Sequence, residues 1–370
     1  MQKVRILKVL AVMGIMLLLL PTNLMAERIP VAILRTNADG KTKTLTFTYA
    51  ERPKVFARRG QNGIHRLNKR VVKDKPERYK NFYIKDDIPT WLDIKSPDEG
   101  NYVNNDKITT VKFDKSFSMA RPTSTFYWFW GLRKLKTIIG IENLITSEVK
   151  YMSGMFKGCS SLTELDVSGF NTANVENMGS MFEGCSQLET IDVSGFNTTN
   201  VKNMGGMFEG CSQLETIDVN GFNTANGLAM MFMFKDCQNL KSVDISSFHI
   251  GKIISNFYAC YSPAFSNLSE NERTEALALS VIDIFSGCSN LRTLNVGGND
   301  FSSLTSCREK IADMFKGVGT IDSPCRLIVN QQFDQSVLGP KHDNGNGGFY
   351  RWLNGYFTLD TARPESETNY

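Results

Sequence analysis

Residues Met181–Thr198 read MFEGCSQLETIDVSGFNT, and Met207–Thr224 read MFEGCSQLETIDVNGFNT, differing only where Ser194 stands against Asn220. Working outward, the same frame recurs every 26 residues at Cys159, Cys185, Cys211 and Cys237. Phe156, Phe182, Phe208 and Phe234 keep that step, as do Asp166, Asp192, Asp218 and Asp244. An earlier, divergent copy starts at Trp128-Phe129-Trp130-Gly131, with Leu132 in the cysteine slot. Looser copies follow at Phe257 to Cys260, at Ile284 to Leu294 with Cys288, and at Met314-Phe315-Lys316-Gly317, giving about seven copies between residues 126 and 330.

Within one copy the apolar period changes. Leu165 and Val167 alternate with Asp166 and Ser168, the pattern of a strand with one face inward. Val175, Met178, Met181 and Phe182 share one face of a short helical segment, which Gly184 suits as a left-handed end. Eight apolar side chains per copy do not offset the entropy of ordering 26 backbones, so a copy needs neighbours. A period in the twenties predicts an α/β solenoid of the leucine-rich-repeat kind, with parallel strands on one face and short helical segments on the other. Ser269 and Glu272 form a capping box, so a helical insertion is expected at 261–283.

The ends differ from the array. Lys3, Arg5 and Lys8 precede an apolar run from Val9 to Leu20, then Pro21 and Ala26. That order is a secretory signal peptide, 1–26, too short in its apolar part for a membrane span. No cysteine precedes Cys159, so no lipid-anchored cysteine is expected at the new N-terminus. A β-rich domain is expected over 27–118, with a hairpin from Val31 to Tyr49 turning at Asp39-Gly40 and strands at Thr90 to Ile94 and Ile108 to Phe113. The solenoid then occupies 119–333. Residues 334–370 form a loop and an aromatic β-hairpin cap, with Phe349 to Leu353 and Tyr356 to Leu359 flanking Asn354-Gly355.

The repeat frame resembles that of bacterial BspA-like leucine-rich-repeat surface proteins. The likeness rests on C-S-x-L-x-x-[LI]-D-V-[SN]-G-F-N-T-x-N-V-x-N-M-x-x-M-F-x-G. It extends to the approach, Val111 to Phe117 and Ala120 to Trp128-Phe129, and to the close, Val318 to Cys325 and Phe349 to Phe357. The resemblance implies an exported or surface-displayed interaction protein, with adhesion to host proteins as the family's usual assignment.

Stacking would turn every repeated position into a column, about 4.8 Å per step. The cysteine column lies within disulfide reach, although a small apolar residue beside the buried leucine is the simpler account, with Leu132 filling that slot once. Cys307 and Cys325 stand off the column and are the better disulfide candidates. Asp166, Asp192, Asp218 and Asp244 point outward, where two like charges one step apart repel by about 0.9 kcal/mol in water. Each aspartate either caps its own turn or belongs to an acidic strip for a basic partner. Glu164, Thr190, Thr216 and Ser242 share that face, as do Thr293 and Asn295, and these ten residues are the candidate binding face. Asn171, Asn197 and Asn223, with Asn177 and Asn203, read as structural amides.

Charge is segregated along the chain. Residues 41–85 carry fourteen Lys or Arg against three acids, and residues 151–248 carry four Lys against eleven Asp or Glu. The basic segment Arg52 to Lys85 reads as a solvated positive face, or as a contact for an anionic surface such as glycan sulfates or phospholipid headgroups; no nucleic-acid motif accompanies it. No Cys-x-x-Cys pair or histidine cluster suggests a metal, and no nucleophile–base set or cofactor motif suggests catalysis. Repeated residues are poor candidates for an active site, which is made once. The expected function is therefore a non-catalytic secreted or cell-surface protein, or a periplasmic one, that binds proteins or glycans through the repeat face. Two other functions fit the same sequence: a glycan-binding or carbohydrate-active accessory protein with its site in the N-terminal domain, and a structural envelope protein.

Overall fold

The Met-Phe-x-Gly segments do not coil into helices. In the computed structural model, which describes residues 28–51, 63–66, 106–253, 281–301, 313–345 and 348–361, they are runs of overlapping turns. Met155, Lys157 and Cys159 donate to the carbonyls three residues back, at 3.0–3.1 Å. The residues between them, Met152, Gly154, Phe156 and Gly158, donate sideways to Asn177, Gly179, Met181 and Glu183 of the next copy, at 2.6–2.9 Å. The next junction repeats this from Met178, Ser180, Phe182 and Gly184 to Asn203, Gly205, Met207 and Glu209. This corrects the expected helical segment. A helix needs each N–H turned back four residues, whereas here alternate donors leave the segment. The conformation requires positive φ twice per copy, four residues apart: 61° and 74° at Gly154 and Gly158, 57° and 70° at Ser180 and Gly184. Glycine takes it without steric cost, which explains the small residues at both positions.

The expected strand is only partly formed. Residues 164–167 and 190–193 alternate exposed and buried side chains but join no ladder, and beyond the first copy the ladder on that side begins at the bridge between Thr216 and Ser242. From there β6 (Ser242–Asp244), β7 (Thr293–Gly297) and β8 (Cys325–Val329) pair in parallel. The fold is mostly sheet and turn, with parallel strands and little helix; residues 250–253 form one helical turn. In the central copies the continuous backbone ladder therefore lies on the face expected to be helical, where parallel bridges join Tyr151, Asn177, Asn203 and Ala229.

Between the two faces run columns of identical side chains. Phe129, Phe156, Phe182, Phe208, Phe234, Phe285 and Phe315 form one file of rings with centroids 5.3–5.7 Å apart. Beside it Met181, Met207, Leu188 and Leu214 are buried. Buried threonines tie the copies on the remaining side. Thr172 Oγ1 accepts from Asn197 N–H and donates to its carbonyl, and Thr198 does the same to Asn223.

Both ends are closed by strands that extend these sheets. At the N-terminal end β1 (Arg28–Thr36) and β2 (Lys43–Glu51) form the expected hairpin, with Gly40 at φ 64° and the Asp39 carboxylate accepting from Lys41 and Thr42 N–H. Strand β3 (Gly63–Arg66) pairs with β1; β4 (Ile108–Phe113) pairs parallel to β2 and β5 (Thr137–Ile139) parallel to β4. Phe47 stacks on Phe113 at 4.7 Å and on Trp128 at 5.0 Å, so the hairpin and the first copy share one core. At the far end β9 (Lys341–His342), β10 (Phe349–Trp352) and β11 (Gly355–Thr361) continue the β6–β8 sheet, β11 pairing parallel to β8. The hairpin turn is Leu353-Asn354, at φ 45° and 61°, one residue before the expected Asn354-Gly355. Gly355 is needed for closeness instead, because a Cβ there would stand 2.7 Å from Phe315 Cβ. The expected loop 334–348 also contains a 3₁₀ turn at Gln335–Leu338 as well as β9.

Several expectations lie outside the described residues: the signal peptide, most of the basic segment 52–85, the strand at Thr90 to Ile94, Phe257 to Cys260, the capping box at Ser269 and Glu272, and Cys307. The ring file predicts where truncation is most costly. Phe208 is fully buried between two rings, and Phe208→Ala is expected to destabilise by about 3–5 kcal/mol. Urea unfolding followed by far-ultraviolet circular dichroism measures this, and a loss below about 1 kcal/mol would contradict the shared core.

Candidate functional site

The ten residues singled out above fall into two adjacent columns. Glu164, Thr190, Thr216, Ser242 and Thr293 form one, and Asp166, Asp192, Asp218, Asp244 and Asn295 the other. The first four of the first column and the first three aspartates are exposed; Asp244, Thr293 and Asn295 are half-buried. Strand alternation accounts for this, since Leu165, Val167, Val193 and Val219 turn inward between them. Where the ladder is missing, a shallow depression opens between Thr137 and Ile138 on one side and Glu164, Asp166, Thr190 and Asp192 on the other.

Each aspartate is engaged by its own turn. Asp166 Oδ1 accepts from the backbone N–H of Ser168 at 3.0 Å and from its hydroxyl at 2.6 Å, and Asp192 takes the same bonds from Ser194. Asp218 accepts from Asn220 N–H. Asp244 accepts from Ser246 N–H and, through Oδ2, from Asn295 Nδ2. The serine hydroxyls, followed by the backbone N–H groups, hold the Asp166 and Asp192 carboxyls below the usual carboxylate range. The turn-capping role expected for these residues is present. It uses one oxygen of Asp166, Asp192 and Asp218 and leaves Oδ2 without a hydrogen-bond donor among the described residues. The face therefore offers three carboxylate oxygens in single-copy steps, arranged to accept hydrogen bonds from a cationic or amide-bearing partner.

The asparagines act on the backbone. Asn171, Asn197 and Asn223 accept from the N–H two residues on, and Asn177 and Asn203 do so from Gly179 and Gly205. The thiol column is free and buried. Cys185 Sγ donates to Phe156 carbonyl at 3.3 Å and Cys211 Sγ to Phe182 carbonyl at 3.2 Å, each reaching the preceding copy. Burial pushes the Cys185 thiol up to about 12 and raises Cys159, Cys211 and Cys237 well above the ordinary range. Cys325, one of the two off-column disulfide candidates, is a buried free thiol. The threonine file escaped sequence reading. Its signal was the Asn-Thr pair shared by three copies, in which the asparagine drew attention and the threonine forms the inter-copy contact.

The repeat block matches a protein-family model described as "Mycoplasma protein of unknown function, DUF285", over residues 123–248 and again over 188–273. The chain is similar to that family over residues 123–273. No curated protein and no solved structure matches it. Among the described residues no group of three or more His, Cys, Asp or Glu side chains is placed to hold a metal ion, and no helix is long and apolar enough to cross a membrane.

Two outcomes follow. The six described cysteines should resist iodoacetamide in the folded protein and all be alkylated in denaturant without reductant, as read by peptide mass spectrometry; a disulfide would leave a pair unlabelled. The Asp192 carboxyl has a folded pKa below its unfolded value of about 3.9, so its stabilisation is present above that pH and is lost as pH falls through the folded pKa. Asp192→Asn should therefore be less stable than the parent at neutral pH, with the gap closing below about pH 3.9, in parallel urea titrations.

Proposed function

We propose that this protein is an exported, non-catalytic interaction protein, displayed on or released from the cell surface. In this reading the stacked copies form a leucine-rich-repeat-like solenoid that binds a partner protein or glycan. One observation carries it: the copies present the same outward-facing side chains at regular steps, with Asp166, Asp192 and Asp218 each keeping one carboxylate oxygen open to a ligand. A repeated surface of this kind suits multivalent contact with an extended partner, in which each rim charge adds little and several together set on-rate and specificity. Export is supported by the order of charged, apolar and small residues in the first 26 positions. The BspA-like resemblance supports adhesion as the form the binding takes.

The test is a binding screen of the chain from Glu27 onward against immobilised matrix proteins and glycans. It is repeated with the triple variant Asp166→Asn, Asp192→Asn, Asp218→Asn. Binding is expected to weaken by roughly five- to tenfold at low ionic strength, with a smaller difference in high salt. Equal binding by parent and triple variant on every captured target would remove this face from the function.

A further inference from the structure

The opposite face, which carries the turn ribbon, is not flat. A groove of about 540 Å³ crosses it from the first copy to the fifth. Its floor is the backbone of Gly179, Ser180, Gly205 and Gly206, where the third and fourth copies carry only small side chains. Phe126 and Tyr127 close one end, Met231 and Phe232 the other. Tyr127 and Phe232 occupy the ribbon position that Gly154, Ser180 and Gly206 fill in the copies between them, and both keep its positive φ, 56° and 59°. Bulky residues rarely adopt that conformation. The two aromatic exceptions stand at the two ends of the groove.

The walls are charged in a definite order. Lys157, Glu183 and Glu209 follow one another along one side, with Lys235 next in the column beyond the lining, and Glu176 and Lys202, 3.1 Å apart, also line the groove. Lys157 Nζ lies 2.7 Å from Glu183 Oε2, and Lys235 Nζ 3.6 Å from Glu209 Oε1, so the lysines sit outside and the two carboxylates are neighbours at the centre. Both carboxylates reach over the floor. The point where a Cβ would stand on Gly206 is 3.2 Å from Glu209 Oε2, 3.4 Å from Ser180 Oγ and 3.8 Å from Glu183 Oε2. Glu209 is half-buried, and burial together with Glu183 holds its carboxyl above the ordinary range despite Lys235 and Lys157. Across the groove, Asn177 and Asn203 spend Oδ1 on Gly179 and Gly205 N–H, and their Nδ2 groups have no acceptor among the described residues.

We propose that this groove binds an extended polypeptide segment of a partner protein. In this site a lysine or arginine side chain of the partner sits over Ser180 and Gly206 between Glu183 and Glu209. Apolar side chains on either side of it rest against Tyr127 and Phe232. The groove is long enough, since four steps of 5.3–5.7 Å match an extended segment of about six or seven residues at about 3.3 Å each. Its charge favours the same occupant, because the lining sets Glu176, Glu183 and Glu209 against Lys157 and Lys202, Glu183 and Glu209 both approach Gly206, and the surrounding repeats are acidic, four Lys against eleven Asp or Glu over 151–248. The Asn177 and Asn203 amides, one step apart, are placed to donate to carbonyls of the bound backbone. This site is separate from the outward aspartate face and does not depend on its binding anything.

The test scans a positional library of acetylated, amidated heptapeptides, with a neutral glycan array alongside, against the chain from Glu27 onward. Three proteins are compared: the parent, Glu209→Gln, and the triple variant Asp166→Asn, Asp192→Asn, Asp218→Asn. The expected result is selection for Lys or Arg at the central position and for apolar residues near both ends. Affinity for the selected peptides should fall roughly tenfold in Glu209→Gln, the loss of one charge-assisted hydrogen bond, and stay unchanged in the triple variant. Unfolding midpoints confirm that each variant is folded, and Glu183→Gln serves as the second variant if Glu209→Gln is not. The proposal is overturned if no basic residue is selected, if the selection survives both glutamine variants, or if only neutral glycans bind. Weakening in the aspartate triple variant alone would place peptide binding on the outward face and likewise overturn it.

Discussion

The structure depends on backbone N–H groups that leave their own copy. In each ribbon alternate donors close turns and the others reach the carbonyls of the next copy, so no copy satisfies its own peptide groups. A buried donor without an acceptor costs about 1–3 kcal/mol, and four such donors cross each central junction, so an isolated copy is unstable for polar as well as apolar reasons. The copying of eighteen residues with a single change follows from this. Each ribbon is at once acceptor for one neighbour and donor to the other, and both must share one backbone path.

Side chains reinforce the same spacing. The ring file, the thiols donating to the preceding copy and the threonines gripping the next asparagine backbone all repeat at the interval the ribbon sets. The spacing is tighter on the ribbon side: Phe208 and Phe234 lie 5.6 Å apart, while Phe222 and Phe248, in the same two copies, lie 6.4 Å apart. On the looser side the strands pair only at the two ends of the array, where β5 joins β4 and from Thr216 onward. The same asymmetry gives the two faces different character. One is an exposed row of turn-bound aspartates, and the other a floor of glycine and serine walled by lysine and glutamate.

The ends show how such a stack stops. A hairpin made of β1 and β2 covers the first copy with Phe47, and β10 and β11 cover the last with Trp352 and Phe357 against Phe315. Both caps add strands to the existing sheets, so the terminal copies find backbone partners as well as apolar cover.

The sequence by itself determined the repeat, its 26-residue step, the inward and outward residues of each copy, the two closing hairpins and the outward aspartates. All of these follow from period, alternation and turn chemistry within a few residues. Only the tertiary structure decided which face carries the ladder. A spacing of i, i+3, i+6, i+7 fits a helix and a turn ribbon equally, and the choice between them rests on an acceptor 25 residues away together with glycines that permit positive φ. The threonine grip, the one-residue shift of the last turn and the groove between Tyr127 and Phe232 were hidden for the same reason. Each exists only where one copy meets another, and a single copy's pattern does not record its neighbour's position.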